Sequence, residues 1–447
     1  MKAALLCPEE ATVTNLIRLN GQQHQDWSPS YRLYSLDRVD EDVFFRDVLA
    51  ELHGVLPSNK PLVIALDDTL VRKTGTHIDG VGWKRDPLGP PFQTNLVRGQ
   101  RYLQASVAWP LEDGAARMVP VAFTHAPPAP KPPRGATEEQ LAEHRQAKRR
   151  MSLNAYTLNQ IDAICRASPP GRRRIFCGDN SFTNAEVVSH VQEFDTYIGR
   201  IRKDADLYHP PVSDPAAPST GRPRFYGEKA PTPEQLRQDE NEPWITVSAF
   251  AAGKVHEFRV KTMDKVLWKK TGHKHTQRVV VIAPVRYRLR KGSKLLYRQP
   301  AYLLCTDEAL PLEELVQYYL WRWGIEVNFR EEKSLLGAGD AHVRTAASNQ
   351  HLPAVIVAAY SLLWVALLRL RARGRMPSIL LPPRWRKKPK GGDELPSTGD
   401  LLRTLRFEEW ARAACRRTFD HFSPGDTPDA KSTKPPLPRK EDIRQAM

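Results

Sequence analysis

Helix-spaced side chains between residues 319 and 333 place the strongest limit on the fold of this chain. They are Tyr319, Arg322, Glu326 and Lys333, within the segment YYLWRWGIEVNFREEKSLLG. At about 3.6 residues per turn, this spacing puts all four within roughly a 60° arc of one helical face. A solubilising surface stripe more often alternates charge through pairs four residues apart. One carboxylate between two cations and a phenol instead favours a metal and phosphate site, to which acids from distant segments must converge.

Aspartates follow two strand-like runs earlier in the chain. The apolar run from Leu62 to Leu66 leads into Asp67 and Asp68, and the segment RRRIFCGDNSFTN leads through Gly178 into Asp179. Adjacent strand residues point to opposite faces, so only one of Asp67 and Asp68 can face a metal directly. An aspartate at the end of a strand also suits a turn or a helix cap, which is the structural alternative for each of these residues.

The order and spacing of these motifs resemble the DDE-type bacterial insertion-sequence transposases of the Y-R-E-K signature group. The resemblance covers roughly residues 60 to 350, including TYIGRIRKDADLY from Thr196, which is similar to the strand after the second aspartate in that family. It implies a mixed α/β fold with an RNase H-like core. It also implies that Asp68, Asp179 and Glu326 are the catalytic and metal-binding acids, with Asp68 favoured over Asp67 because it directly precedes threonine.

The resemblance further implies cleavage of transposon ends and joining of the freed 3′ hydroxyl to target DNA by two-metal phosphoryl transfer. The expected cofactor is Mg²⁺, as two ions, with Mn²⁺ able to substitute, because small hard cations prefer oxygen ligands. Expected partners are double-stranded DNA, both transposon ends and target, and a second copy of the chain in a synaptic homodimer. Tyr319, Arg322 and Lys333 are predicted to contact phosphates and the flanking strand. Trp268 is predicted to stack on a base.

Charge distribution agrees with a polyanionic partner. The formal net charge is +16. Between Lys254 and Arg298 there are 14 basic residues and 2 acids, a local balance of 14 − 2 = +12. Between Arg369 and Lys390 there are nine basic residues and no acid. Such segments favour salt-sensitive binding to DNA, although a generally basic surface is the structural alternative.

Composition and periodicity predict four regions. They are a helical N-terminal region at 1–58, which is a candidate DNA-binding region; a catalytic core at 59–210 and 300–375; a basic, β-rich insertion at 211–299; and a basic, partly disordered C-terminal region at 376–447 with one helix. Within the first region we predict helices at 9–23 and 40–56 around a loop at 26–35. Within the core we predict strands at 61–67, 101–109, 117–123 and 174–178, and one long helix from Thr137 to Pro169. Disorder is predicted after Phe422.

Several other functions are disfavoured. The charge-free run from Leu352 to Leu368 is 17 residues long, near the lower limit for a membrane span, and Pro353 favours a buried core helix instead. Five scattered cysteines without a C-x-x-C pair argue against structural zinc or a disulfide framework, and a bacterial, nucleoid-associated cytoplasmic location is expected. Two alternatives to a transposase stay open: a catalytically silent DNA-binding derivative that represses transposition, and a metal-dependent nuclease that does not transpose.

Overall fold

The computed structural model describes residues 1–86, 89, 95–212, 224–288, 290, 292–380 and 395–415. The chain divides into two compact units. The sheet unit comprises Leu49–Leu70 and Gln100–Asn328, and the helical unit comprises Met1–Val48, Val71–Gly99 and Phe329–Met447. The strands are β1 (Leu62–Arg72), β2 (Gly82–Arg85), β3 (Leu96–Pro110), β4 (Ala116–His125), β5 (Arg174–Gly178), β6 (Thr196–Arg200), β7 (Leu207–Tyr208), β8 (Ile245–Ala251), β9 (Lys254–Trp268), β10 (Gln277–Ile282), β11 (Arg286–Tyr287), β12 (Leu296–Tyr297) and β13 (Ala301–Cys305). The helices are α1 (Lys2–Leu6), α2 (Val13–Leu19), α3 (Ser28–Ser35), α4 (Glu41–Val55), α5 (Glu138–Arg150), α6 (Leu153–Ala167), α7 (Ala185–Val191), α8 (Pro233–Gln238), α9 (Leu312–Trp321), α10 (Gly324–Ser334), α11 (Ala346–Ala372) and α12 (Thr398–Cys415).

A mixed sheet forms the core of the sheet unit. Strand β4 pairs with β3, which lies beside β1, and β5 and then β6 follow in parallel on the other side of β1. Leu66 is in register with Gly178, so Asp67 and Asp179, the residues that follow them, lie at the same end of this strand pair, although β1 itself continues to Arg72. This strand order is that of an RNase H-like core, and the predicted fold class is confirmed. The predicted core strands are confirmed as β1, β3, β4 and β5.

The basic, β-rich segment continues this sheet. Strand β13 pairs antiparallel with β6, β10 with β13, and β9 with β10, while β7 and β8 both pair with β9. The strand content predicted for this part of the chain is therefore confirmed. Because the strands extend the core sheet and the compact units divide elsewhere, the boundaries predicted at 211 and 299 stay a prediction.

The predicted long helix after Thr137 is wrong in one respect, because it is two helices. The capping box is present: the Thr137 hydroxyl accepts from the backbone N–H of Gln140, and the Gln140 side chain accepts from the backbone N–H of Thr137. After α5 ends, the Ser152 hydroxyl accepts from the backbone N–H of Ala155 and begins α6. A serine followed by a regular apolar pattern can act as a new N-cap, and this one starts a second helix.

In the helical unit, the segment predicted as a loop at 26–35 contains helix α3. Pro29 stands in its first turn, where a missing N–H costs no helical hydrogen bond. The other predicted N-terminal helices correspond to α2 and α4, and the predicted C-terminal helix is α12. Of the basic run from Arg369 to Lys390, the part from residue 381 onward lies outside the described residues. The segment after Phe422, for which disorder is predicted, also lies outside them.

Helix α11 carries the apolar run from Leu352 to Leu368. By length and mean hydropathy alone this helix could cross a membrane. However, 83% of its most apolar 18-residue stretch is buried within the protein. His351, near its start, lies between two carboxylates of the same unit: its Nδ1 is 2.6 Å from Glu41 Oε2 and its Nε2 is 2.7 Å from Asp37 Oδ1. This burial is that of a core helix, as predicted.

Candidate active site

The predicted single helix that carries Tyr319, Arg322 and Glu326 is broken at its centre. Helix α9 ends at Trp321 and α10 begins at Gly324. Across the break, the backbone N–H of Ile325 bonds to the carbonyl of Arg322 at 3.0 Å, and that of Glu326 to the carbonyl of Trp323 at 3.1 Å, the three-residue pattern of a tight turn. A Cβ placed on Gly324 would lie 2.5 Å from Cγ of Met118, so close packing against β4 requires glycine here.

Arg322 lies at this break and connects two of the candidate acids. Its Nη1 donates to Asp67 Oδ2 at 3.1 Å, and its Nη2 lies 3.7 Å from Glu326 Oε1. The residue is 8% exposed, and its guanidinium carbon is 5.7 Å from the centre of the Tyr319 ring. Burial lowers the pKa of Arg322, but Tyr319, Asp67, Asp179 and Glu326 together outweigh it and raise that pKa, so the group stays charged.

Asp67 lies within β1, directly after the buried run Leu62–Leu66, and its carboxyl group has a raised pKa. Burial raises the pKa of Asp67 to about 7; Arg322 opposes this rise, and the nearby Asp179 adds to it. Its Oδ1 accepts from the backbone N–H of Asp68 at 2.8 Å. Burial likewise raises the pKa of Glu326, with Arg322 opposing and Asp179 adding to the shift. The carboxyl group of Asp179 is therefore close enough to those of Asp67 and Glu326 to destabilise their charged forms.

Asp179 is held by the turn that leads from β5 to α7. Its Oδ1 accepts from the backbone N–H of Ser181 at 2.7 Å, and its carbonyl accepts from the Thr183 hydroxyl at 2.6 Å. Gly178 allows this approach, because a Cβ there would lie 2.1 Å from the hydroxyl of Tyr197, a fully buried residue of β6. The turn geometry anticipated as the structural alternative thus coexists with a position beside the other acids.

Asp68, the acid preferred in the sequence analysis, belongs to a different set of contacts. Its Oδ2 lies 3.0 Å from Nε of Arg101. Arg101 is in the first half of β3 and belongs to the sheet unit. Asp68 stands beside Asp67 along the strand, and adjacent strand side chains point to opposite faces. Asp67 is the one that contacts Arg322, and the choice of Asp68 as the metal ligand stays a prediction.

The acid cluster defined by Asp67, Asp179 and Glu326 suits a divalent cation in its donor chemistry. All of its ligand atoms are carboxylate oxygens, which hard cations prefer, and their charged forms lack full compensation because Arg322 is shared. In the described part of the chain, no group of three or more His, Cys, Asp or Glu side chains is already arranged around a metal position. Arg322 holds Asp67 and Glu326 in the arrangement seen, and a cation would compete with it for them.

Two other predicted site residues lie elsewhere. Trp268, at the end of β9, is 4% exposed, a burial that is typical of a core tryptophan. Its stacking on a base stays a prediction. Lys333 lies on the part of α10 that belongs to the helical unit, where burial lowers its pKa. Its contact with phosphate stays a prediction.

Sequence reasoning missed two residues near the cluster. Arg101 pairs with Asp68, and no local pattern marks it, because the proximity of β3 to β1 is a property of the sheet. Trp323 occupies the break between α9 and α10 and is 61% exposed. The sequence could have marked Trp323 by its position between Arg322 and Gly324, since a large apolar side chain in a charged segment is unusual for a solvated helix.

The strand order and the converging acids define an RNase H-like nuclease core. A family model described as "DDE superfamily endonuclease" matches residues 1–275. The chain belongs to this family, whose nucleases act on DNA and depend on divalent metal ions. The matched range includes Asp67 and Asp179 but ends before Arg322 and Glu326, so it carries no information on the Y-R-E-K subgroup. No curated protein matches the chain.

Proposed function

We propose that this protein is a DNA transposase that cuts transposon ends and joins them to target DNA at the acid cluster. The observation that carries the proposal is the meeting of three carboxylates, from the middle of β1, from the residue after β5 and from the start of α10, around the buried Arg322. Each of these segments is more than a hundred residues from the others along the chain, so their meeting is a property of the fold.

In this proposal Asp67, Asp179 and Glu326 hold the divalent ions, and Asp67 takes the place given to Asp68 by the sequence analysis. When bound, Mg²⁺ would activate the attacking oxygen and stabilise the leaving oxygen at phosphorus. Burial is the main cause of the raised pKa of Asp67, Asp179 adds to it, and a bound cation would favour the charged carboxylate.

The cations and the phenol of the site then contact DNA. Arg322 is proposed to contact a phosphate as a charged donor, since the neighbouring acids and Tyr319 raise the pKa of its guanidinium. Tyr319, with burial raising its pKa, stays a neutral hydroxyl able to donate to a phosphate oxygen. Lys333 is proposed to contact the flanking strand as a point charge.

The proposed partners are double-stranded DNA, as transposon ends and as target, and a second copy of the chain in the synaptic complex. Joining two ends to one target in a single event requires two sets of acids. The basic residues of β9 and β10, which extend the core sheet, are proposed to supply part of the DNA contact.

The test uses DNA that flanks the gene. Terminal inverted repeats in that DNA define the ends, which are incubated with Mg²⁺ and either the wild-type protein or the Glu326→Gln variant. Cutting followed by joining to a target plasmid, by the wild type alone, supports the proposal. Cutting without joining identifies the non-transposing nuclease. Binding of the ends without cutting by either protein identifies the silent DNA-binding derivative.

A further inference from the structure

A basic β-hairpin leaves the sheet at the edge that carries the acid cluster. Strand β6 runs parallel to β5, and β13 runs antiparallel to β6, so Ala301 at the start of β13 lies at the edge where β5 ends. Ile282, the last residue of β10, is in register with Ala301. The segment that joins them contains the paired strands β11 and β12 and belongs to the sheet unit, as the acid cluster does. At roughly 4.8 Å per strand, the base of this hairpin lies about 10 to 15 Å from β5 along that edge.

The hairpin has no negative charge of its own. Residues 283–300 contain six basic residues and no acid, a local balance of 6 − 0 = +6. The structure describes five of the basic residues, and all five are exposed: Arg286, Arg288, Arg290, Lys294 and Arg298. None of these five forms an ion pair with a described residue, whereas Arg278 of the neighbouring β10 pairs with Asp264. Like charges at this density repel one another, so a polyanion beside the hairpin would stabilise it.

The two faces of the hairpin differ in exposure. Arg286 is opposite Tyr297 in the register, and opposite residues of an antiparallel pair lie on the same face. Tyr297 is 64% exposed. On the other face, Tyr287 is opposite Leu296, both are half-buried, and the guanidinium carbon of Arg298 is 5.4 Å from the centre of the Tyr287 ring. The face with Arg286 and Tyr297 is therefore the one open to a ligand.

The turn of the hairpin is held by its own hydrogen bonds. Arg288 Nη1 donates to the carbonyl of Ser293 at 2.8 Å, and the backbone N–H of Ser293 donates to the carbonyl of Arg290 at 3.0 Å. Gly292 has a φ of +84°, which favours glycine. The guanidinium groups of Arg286 and Arg290, in contrast, have no hydrogen-bond partner among the described residues. These two side chains are available for an external partner without loss of the turn.

We propose that this hairpin enters the major groove of the duplex DNA bound at the acid cluster, where Arg286 and Arg290 contact base edges. A two-stranded β-ribbon fits the major groove, which is about 12 Å wide, and is too wide for the minor groove of about 6 Å. Arginine is the side chain that forms two hydrogen bonds with O6 and N7 of guanine in the major groove.

This inference rests on the proposed function and adds the element that selects the DNA sequence. The contacts proposed for β9 and β10 are with phosphates, which carry no sequence preference, whereas contacts with base edges do. A duplex that follows the edge of the sheet would meet the base of the hairpin about three to four base pairs from the phosphate at the acid cluster, at roughly 3.4 Å per base pair.

The test begins with selection of duplex DNA from a randomised library by the full chain, in EDTA so that no cutting takes place. The recovered duplex and a scrambled duplex of the same composition are then the two probes for fluorescence anisotropy. The Arg286→Gln/Arg290→Gln variant should bind the selected duplex about thirtyfold more weakly than the wild type, and the scrambled duplex only about threefold more weakly. Arg149→Gln/Arg150→Gln is the matched control, because it removes two exposed charges from the last turn of α5. It should keep the discrimination of the wild type, and both variants should unfold at the wild-type temperature.

A third probe tests the groove that the hairpin enters. The selected duplex is made with 7-deazapurines, which lack the N7 acceptor that guanine and adenine present in the major groove. The wild type should bind this duplex about tenfold more weakly than the unmodified one, and the Arg286→Gln/Arg290→Gln variant should bind the two alike. The proposal is overturned if the wild type selects no sequence, if the variant loses equal affinity for the selected and scrambled duplexes, or if the 7-deazapurines weaken its binding as much as that of the wild type.

Failure of this proposal can be distinguished from failure of the proposed function. Binding is measured without Mg²⁺, so loss of discrimination in the Arg286→Gln/Arg290→Gln variant supports the hairpin contact even if the wild type cuts no DNA. Cutting and joining of transposon ends by the wild type, together with unchanged discrimination in the variant, would support the transposase and overturn the role of the hairpin.

Discussion

The two edges of the sheet at which β5 begins and ends differ in how their acids are compensated. At the edge where β5 ends, the carboxyl groups of Asp67 and Glu326 share Arg322, and Asp179 lies close enough to raise the pKa of both. At the edge where β5 begins, Asp195 pairs with Arg174 and Asp307 pairs with Arg173. Acids at the first edge therefore share one cation, whereas these two acids at the second edge each have their own.

This difference shows that two edges of one sheet can differ in how far their acids are compensated. Parallel strands bring the residues that follow Leu66 of β1 and Gly178 of β5 to one edge, and the residues that precede β5 and β6 to the other. Buried charges without full compensation are costly, so the first edge favours a ligand that supplies positive charge. We expect a divalent cation at the acid cluster.

The largest expected effect separates two adjacent acids. Asp67→Asn should reduce Mg²⁺-dependent DNA cleavage by about a thousandfold or more, because several kcal/mol of transition-state stabilisation depend on a metal ligand. Asp68→Asn, one residue along the strand, removes a carboxylate that contacts Arg101 and should have a much smaller effect. Single-turnover cleavage rates measure both. An equal loss in both variants would show that Asp68 also belongs to the site.

Removal of the shared cation should destabilise the first edge. Arg322→Met leaves the carboxylates of Asp67 and Glu326 without their cation, and we expect a loss of about 3 kcal/mol in the free energy of unfolding in EDTA. Urea denaturation measures it, and added Mg²⁺ should recover part of the loss. Arg101→Met is the matched control, since its side chain is 36% exposed and its pair with Asp68 should contribute less than about 1 kcal/mol. Equal losses would remove the special role of Arg322.

The raised pKa of Asp67 predicts a pH dependence with a definite sign. With a pKa of about 7 in the folded state, Asp67 holds a proton that the unfolded chain, with a pKa near 3.9, has already released. Between these values the folded state binds more protons at Asp67, so the contribution of this residue to stability is most favourable at low pH and falls as pH rises towards 7. In EDTA we expect a loss of about 1 kcal/mol per pH unit between pH 5 and 7.

Denaturation of Asp67→Asn across the same pH range isolates this contribution. The variant should lose that part of the slope, and Asp68→Asn should keep it. A slope that is the same in the wild type and in Asp67→Asn would show that the Asp67 carboxyl has an ordinary pKa.

The smallest expected effect concerns the break between α9 and α10. Gly324→Ala places a Cβ 2.5 Å from Met118 Cγ, and we expect the repacking to cost about 1 kcal/mol net of the better helix propensity of alanine. Gly54→Ala is the matched control in α4, since no atom lies within 4 Å of its added Cβ. That change should stabilise the protein slightly. Thermal unfolding of both variants would contradict this account if Gly324→Ala were the more stable of the two.

Periodicity in the sequence predicted most of the fold. Short apolar runs predicted β1, β3, β4 and β5, and the capping box at Thr137 fixed the start of α5. Errors arose where one residue ends a regular pattern, as Ser152 does between α5 and α6. The helix break at Arg322 could not be predicted from spacing alone, because it depends on the contact between Gly324 and Met118 of a distant strand.

The candidate site was predictable in its residue types and less so in its geometry. Asp179, Glu326 and Arg322 do meet in the structure, but the choice between Asp67 and Asp68 depends on which face of β1 turns towards α10. Trp268 could not be distinguished from a core tryptophan without its burial.

Metal binding tests the central claim most directly. Mn²⁺ has an electron paramagnetic resonance signal that reports free ion, and titration of the wild type and of the Asp67→Asn, Asp179→Asn and Asp68→Asn variants gives the affinity of each without DNA. We predict that the wild type and Asp68→Asn bind Mn²⁺ with the same affinity. Asp67→Asn and Asp179→Asn should bind it at least about tenfold more weakly. Binding by Asp67→Asn and Asp179→Asn that equals the wild type would contradict the assignment of these acids as the metal site.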